Sequence, residues 1–144
     1  MIEKDTVRLL RECDQGVKMG ISSIDDVSGY VSSDSLKSIL RKSKSEHESL
    51  ERDIEDELLR YGDEGKSPNP IVKGMSWVRA NAMLVMNSSD GTVADLMTDG
   101  CNMGVKSLSR YLNQYAAADE TSKNITKKLI RIEEQMSQDM RDFL

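Results

Sequence analysis

The chain contains one histidine, His47, and the residues around it decide which chemistry the sequence could support. Leu36, Leu40, Ser43, His47, Leu50, Ile54, Leu58 and Tyr61 recur at steps of three and four, the spacing that keeps side chains on one face of a helix. His47 therefore points inward, with Glu51 one turn further along. Two more acids lie on or beside apolar stripes: Asp14 among Val7, Leu10, Val17, Ile21, Ile24 and Val31, and Glu133 among Ile125, Leu129, Ile132, Met136, Met140 and Phe143. An imidazole with two or three carboxylates can hold a single iron, manganese or zinc ion. His47, Glu51, Glu133 and Asp14 are accordingly the candidate metal ligands, with Cys13 and Cys101 as further donors. The commoner role for such a histidine is a neutral imidazole hydrogen-bonded inside a core. On that reading Asp14 and Glu133 pair with lysines such as Lys18 or Lys44, because a buried unpaired charge is driven to neutralise.

Other chemistries lack their parts. No Ser-His-Asp set can be assembled around one internal histidine, and no glycine-rich loop joins a strand to a helix. Phosphotransfer through His47 would place the incoming phosphoryl group beside Glu48 and Glu51, which repel it. Cys13 and Cys101 are too few and too distant for a metal finger or a disulfide framework. The nine methionines read as core filler rather than a copper site.

The elements that must position these residues are helical. Hydrophobic residues make up 38% and charged residues 31% of 144, with two prolines, one phenylalanine and one tryptophan, a mix suited to long amphipathic helices in one domain spanning residues 1–144. A net charge of −5 without a basic block opposes nucleic acid and anionic membranes. Near the N-terminus Glu3, Lys4, Asp5 and Arg8 interrupt the apolar positions; that pattern is not a signal peptide, no later run approaches a membrane span, and the expectation is a cytoplasmic protein.

Five helices are expected. The first covers about 6–31, with Asp5 or Thr6 as N-cap and Gly16, Gly20 and Gly29 marking close packing or a bend. Ser32 and Ser33 make a connection so short that the second helix, about 34–61, must run back antiparallel. Gly62 ends it in the C′ position. A polar linker leads to a shorter crossover helix over about 70–86, opened by Asn69 and Pro70. The last two, about 92–117 and 120–143, form a second hairpin, with Val93, Leu96, Met97, Gly100, Gly104, Leu108, Tyr111 and Tyr115 inward on the first of them. Asp119 caps the final helix.

Two antiparallel hairpins joined by a long crossover resemble the ferritin-like four-helix bundle, and the chain is similar to small bacterial members of that superfamily, many of unknown function. Ser45-Glu46-His47-Glu48 resembles the Glu-His segment of the second helix of ferritin and rubrerythrin relatives. Ile132-Glu133-Glu134-Gln135-Met136 resembles their last helix. The resemblance implies a di-iron centre built from four acids and two histidines, with Glu-x-x-His pairs on two helices. In this chain His47 matches one histidine, but Lys44 stands where its glutamate belongs. Glu133 matches a glutamate, while Met136 replaces the second histidine. Cys101, Asn102, Met103 and Gly104 supply no carboxylate at the corresponding level of the third helix.

The expectation is therefore a non-catalytic ferritin-like bundle without a resident cofactor, acting as a homodimer or a module for a protein partner. Trp77 and Tyr115, left over once one core is filled, are the candidate interface residues. The alternative is a metal-binding protein or oxidoreductase holding iron, manganese or zinc at a partial site around His47 and Glu133.

Overall fold

The computed structural model describes residues 2–63 and 88–144. Among them are four helices and no strand: α1 (Ile2–Ser28), α2 (Asp34–Arg60), α3 (Asp90–Gln114) and α4 (Glu120–Met140), the last closed by a 3₁₀ turn, Arg141–Phe143. The crossover helix expected over 70–86, and Trp77 within it, lie outside the described residues.

Each helix start has a local cause. Ser33 Oγ accepts from Leu36 N, Ser89 Oγ from Thr92 N, and the Asp119 carboxylate from Ser122 N; such caps each stabilise a helix by about 1 kcal/mol. Gly62, at φ 71°, is the one positive-φ residue among those described, and ends α2 as its place after Tyr61 requires. Asp5 and Thr6, read from sequence as N-caps, instead lie inside α1, which begins at Ile2. Their side chains cap a different turn: Asp5 accepts from Ala117 N and Thr6 Oγ1 from Asp119 N. α3 likewise begins two residues before the expected start because Ser89, not a residue further on, supplies the cap.

These tertiary bonds fix the topology. The Asp90 carboxylate accepts from Ser32 N and Ser33 N, placing the start of α3 against the α1–α2 turn. At the opposite end Tyr61 donates to Asp119, so the end of α2 meets the α3–α4 turn and the start of α1. α1 and α2 are therefore antiparallel, α3 and α4 are antiparallel, and α2 and α3 run the same way. Residues 64–87 join one end of the bundle to the other.

The core divides into two apolar clusters. Toward the Asp90 end lie Ile24, Val27, Leu36, Leu40, Val93, Met97, Met136 and Met140. Toward the Asp119 end lie Leu10, Cys13, Val17, Leu50, Ile54, Leu58, Leu108 and Leu129. Each fully buried leucine or isoleucine contributes about 1.5–3 kcal/mol of burial. The interval on each helix is polar or small: Gly20 on α1, Ser43 and His47 on α2, Gly104 on α3, Glu133 on α4. A polar layer thus crosses the middle of the bundle.

Candidate functional site

The i, i+4 spacing of Ser43 and His47 lets the imidazole fold back on its own helix. His47 Nδ1 lies 2.7 Å from the Ser43 carbonyl oxygen, which can only accept, so Nδ1 carries a proton and donates. The other nitrogen, Nε2, lies 2.9 Å from Glu133 Oε1 on α4. His47 is fully buried and Glu133 is 8% exposed. Burial works to lower the imidazole pKa, but the Glu133 hydrogen bond and charge, then the Ser43 carbonyl and Glu46, outweigh it, leaving His47 above its ordinary value. The pair is a hydrogen bond inside the core, charge-assisted when the imidazole is protonated. The hydrogen-bonded core imidazole expected from the sequence is present, with the Ser43 carbonyl and Glu133 as its partners.

Space for the pair comes from glycine. A Cβ at Gly20 would lie 2.8 Å from both Cδ2 and Nε2 of His47, and one at Gly104 would lie 3.5 Å from Glu133 Oε2. Neither glycine has positive φ, so size, not backbone conformation, accounts for both. Cys101 also borders the layer; burial, then the charge of Glu133 and a hydrogen bond to it, push its thiol well above the ordinary range. Cys13, paired with Thr126 Oγ1 at 3.1 Å, is pushed up to about 12, chiefly by burial. Both thiols are poor nucleophiles in the folded protein.

The four candidate ligands separate into two places. His47 and Glu133 meet. Asp14, fully buried, takes both its oxygens to Lys18 Nζ at 2.8 and 2.7 Å, and Lys18 also pairs with Glu55 at 3.5 Å. Glu51 belongs to that neighbourhood: its pKa is raised by burial and by Glu55, against the pull of Lys18. The lysine pairing expected for Asp14 is present, whereas Lys44 goes to Asp25 at 2.7 Å and Glu133 takes the histidine. Gly20, the residue facing His47, lies six positions from Asp14, about 9 Å along the axis. Tyr115, the candidate interface residue among those described, is half-buried and stacks on Tyr111 with ring centroids 6.3 Å apart.

The residues present do not fit a di-iron centre. His47 has no free nitrogen while both contacts persist, and among the described residues no group of three or more His, Cys, Asp or Glu side chains is placed to share an ion. Nor does any buried side-chain nitrogen or oxygen among them lack a hydrogen-bond partner. An orphaned donor or acceptor is the usual mark of an absent ligand.

Sequence reasoning missed one feature. The layer is reached from outside by a groove of about 440 Å³ between α1 and α3, with His47, Leu129, Glu133 and Met136 on its floor. Gly16 and Gly20 on one wall, and Gly100 and Gly104 on the other, keep it open. The paired Gly-x-x-x-Gly spacings were the available signal. No helix among the described residues is long and apolar enough to cross a membrane. No family model, curated protein or solved structure matches the chain.

Proposed function

We propose that this chain is a ferritin-like bundle that has exchanged the metal centre for an internal ion pair and works by binding, as a homodimer or a protein-interaction module. Two antiparallel hairpins with α2 and α3 parallel support the superfamily reading, since a long crossover between the second and third helices characterises that bundle. The observation that carries the functional reading is the commitment of both His47 nitrogens, Nδ1 to the Ser43 carbonyl and Nε2 to Glu133. A ligating imidazole needs a bare nitrogen. An ion entering here would have to break the Glu133 contact.

The competing reading is a metal-binding protein or oxidoreductase at His47 and Glu133, and elemental mass spectrometry separates the two. Protein purified without chelator or histidine tag, and its His47→Gln variant checked for folding by circular dichroism, are compared for iron, manganese and zinc. The binding-module reading expects traces that do not depend on His47. Near-stoichiometric metal that disappears in a folded His47→Gln protein would overturn it. Sedimentation of the same samples then separates the homodimer from a monomer that awaits a different partner.

A further inference from the structure

The surface that α2 and α4 present side by side carries opposite charges on its two helices. Lys44 with Asp25 and Lys18 with Glu55 mark the edge of α2 that meets α1. At about 100° per residue, the outward edge away from α1 carries Lys42, Asp53, Asp56 and Arg60, all exposed. On α4 the bond from Ser137 to Asn102 marks the edge toward α3. The outward edge on the other side holds exposed Glu120, Lys128 and Arg131 and half-buried Asp139. Lys42, Asp53, Asp56, Lys128 and Arg131 make no ion pair with another described residue. Arg60 holds Glu57 on its own helix, and Asp139 accepts from Gln135.

Two contacts fix the level of one helix against the other. Tyr61 meets Asp119 and His47 meets Glu133, and both give the same antiparallel register. On it Asp53 and Asp56 share a level with Lys128 and Arg131 to within about one turn. Lys42 is level with Asp139, and Arg60 with Glu120. A second copy related by a two-fold axis parallel to the helices sets α2 of one protomer over α4 of the other at unchanged level. Every one of these charges then faces its opposite, twice over. An axis across the helices sets α2 against α2 and matches one cation of that helix at a time.

We propose that the chain self-associates through the α2–α4 face as a closed dimer with its two-fold axis along the bundle, Asp53 and Asp56 of each protomer meeting the partner's Lys128 and Arg131. From Lys42 to Arg60 the face is about 27 Å long, and two helices of about 10 Å make it about 20 Å wide. That is about 500 Å² per protomer and about 1,000 Å² in all, the small end of specific interfaces. Between its charges α2 offers Ser38, Ser45 and Ser49 and no apolar anchor. The dimer is therefore weak and salt-sensitive. The inference rests on the binding-module reading and makes a second copy the partner. Metal that depends on His47 would sink that reading, whereas a metal-free monomer would sink only this one.

Sedimentation equilibrium of the whole chain, at up to about 200 µM because the interface is small, is the experiment. A reversible dimer is expected in about 50 mM salt, at least tenfold weaker in about 500 mM, where screening acts beyond about 4 Å. Lys128→Glu with Arg131→Glu should leave a monomer, and so should Asp53→Lys with Asp56→Lys, because each sets like charges together at both contacts. All four positions are exposed, so both variants fold, which circular dichroism checks. Mixing the two monomeric variants should restore a dimer containing one of each, since both contacts then join opposite charges again. A native monomer at low salt, a dimer untouched by either reversal, or two variants that fail to combine would each overturn the proposal. So would a series of higher oligomers, which a closed two-fold contact does not form.

Discussion

Gly20 of α1 faces His47 of α2 so closely that a methyl group at residue 20 would stand 2.8 Å from the ring's Cδ2 and Nε2. The ring has nowhere to retreat, because it is fully buried and held from two sides. Gly20→Ala gains about 1 kcal/mol of helix propensity. Against this it forces overpacking of about 1–3 kcal/mol and weakens a charge-assisted hydrogen bond of about 1.5–3 kcal/mol. Urea denaturation should show a net loss of about 2 kcal/mol. Gly100→Ala, in open space on α3, should gain about 0.5–1 kcal/mol instead. Two identical substitutions with opposite signs would be hard to obtain unless residue 20 touches the ring; equal stability changes would remove the contact from the account.

The proton on His47 couples that contact to pH. Unfolded, the imidazole titrates near its ordinary value of about 6.5; folded, Glu133 and the Ser43 carbonyl hold it higher against the opposing effect of burial. The folded state thus binds the proton more tightly. Its contribution is complete below pH of about 6.5 and is lost as pH rises through the folded value. Native-state NMR should place the ring's midpoint above about 6.5. The difference in stability between the native protein and His47→Gln should shrink from slightly acidic to alkaline pH. A midpoint below about 6.5 would mean that burial wins and that the pair is not an ion pair near neutrality.

Breaking the pair and replacing it should have unequal costs. Glu133→Leu leaves Nε2 buried without an acceptor, a loss of about 3–5 kcal/mol for one orphaned partner of a buried ion pair. Removing both groups together, in His47→Leu with Glu133→Leu, exchanges the pair for apolar packing and should recover most of that loss. Thermal or urea unfolding of the two singles and the double forms a mutant cycle. Additive losses would show that His47 and Glu133 do not act as a unit.

How far the sequence could lead depended on whether periodicity or pairing set the answer. On α2 the apolar stripe decides everything, and Leu36, Leu40, Ser43, His47, Leu50, Ile54 and Leu58 are the buried residues of that helix. On α3 the inward face is turned by about one residue. Cys101 is buried and Gly100 exposed, because a glycine contributes no hydrophobic weight to a stripe and its neighbours alone cannot fix the phase. The encounter of His47 with Glu133 joins residues 86 positions apart, beyond what local spacing conveys. Counting along ideal helices about a two-serine turn pairs residue 18 with residue 47, but α1 ends at Ser28 and residues 29–33 form the connection, so that symmetric count does not apply and Gly20 faces the ring. Asp14 with Lys18 was readable from sequence because both lie on one helix at i, i+4.

Asp119 offers the clearest test of how the bundle's lower end is held. Its carboxylate accepts from Ser122 N as the α4 cap at 2.8 Å and from Tyr61 OH of α2 at 3.0 Å. Partial burial pushes its pKa up, but the hydrogen bonds from Ser122 and Tyr61, with the charge of Arg60, prevail and hold it below the ordinary value. The contribution is present above the unfolded pKa of about 3.9 and is lost as pH falls through the folded value. Asp119→Ala removes the cap and the interhelical bond and should cost about 1–2 kcal/mol at neutral pH. Asp119→Asn keeps a good capping acceptor, so it should cost less than about 1 kcal/mol, chiefly the lost charge at the helix N-terminus. It should also flatten the acid limb of the stability curve. Tyr61→Phe removes only the bond between helices. If Tyr61→Phe is neutral while Asp119→Ala is not, the residue serves α4 alone; comparable losses in both would make it a joint between the two hairpins.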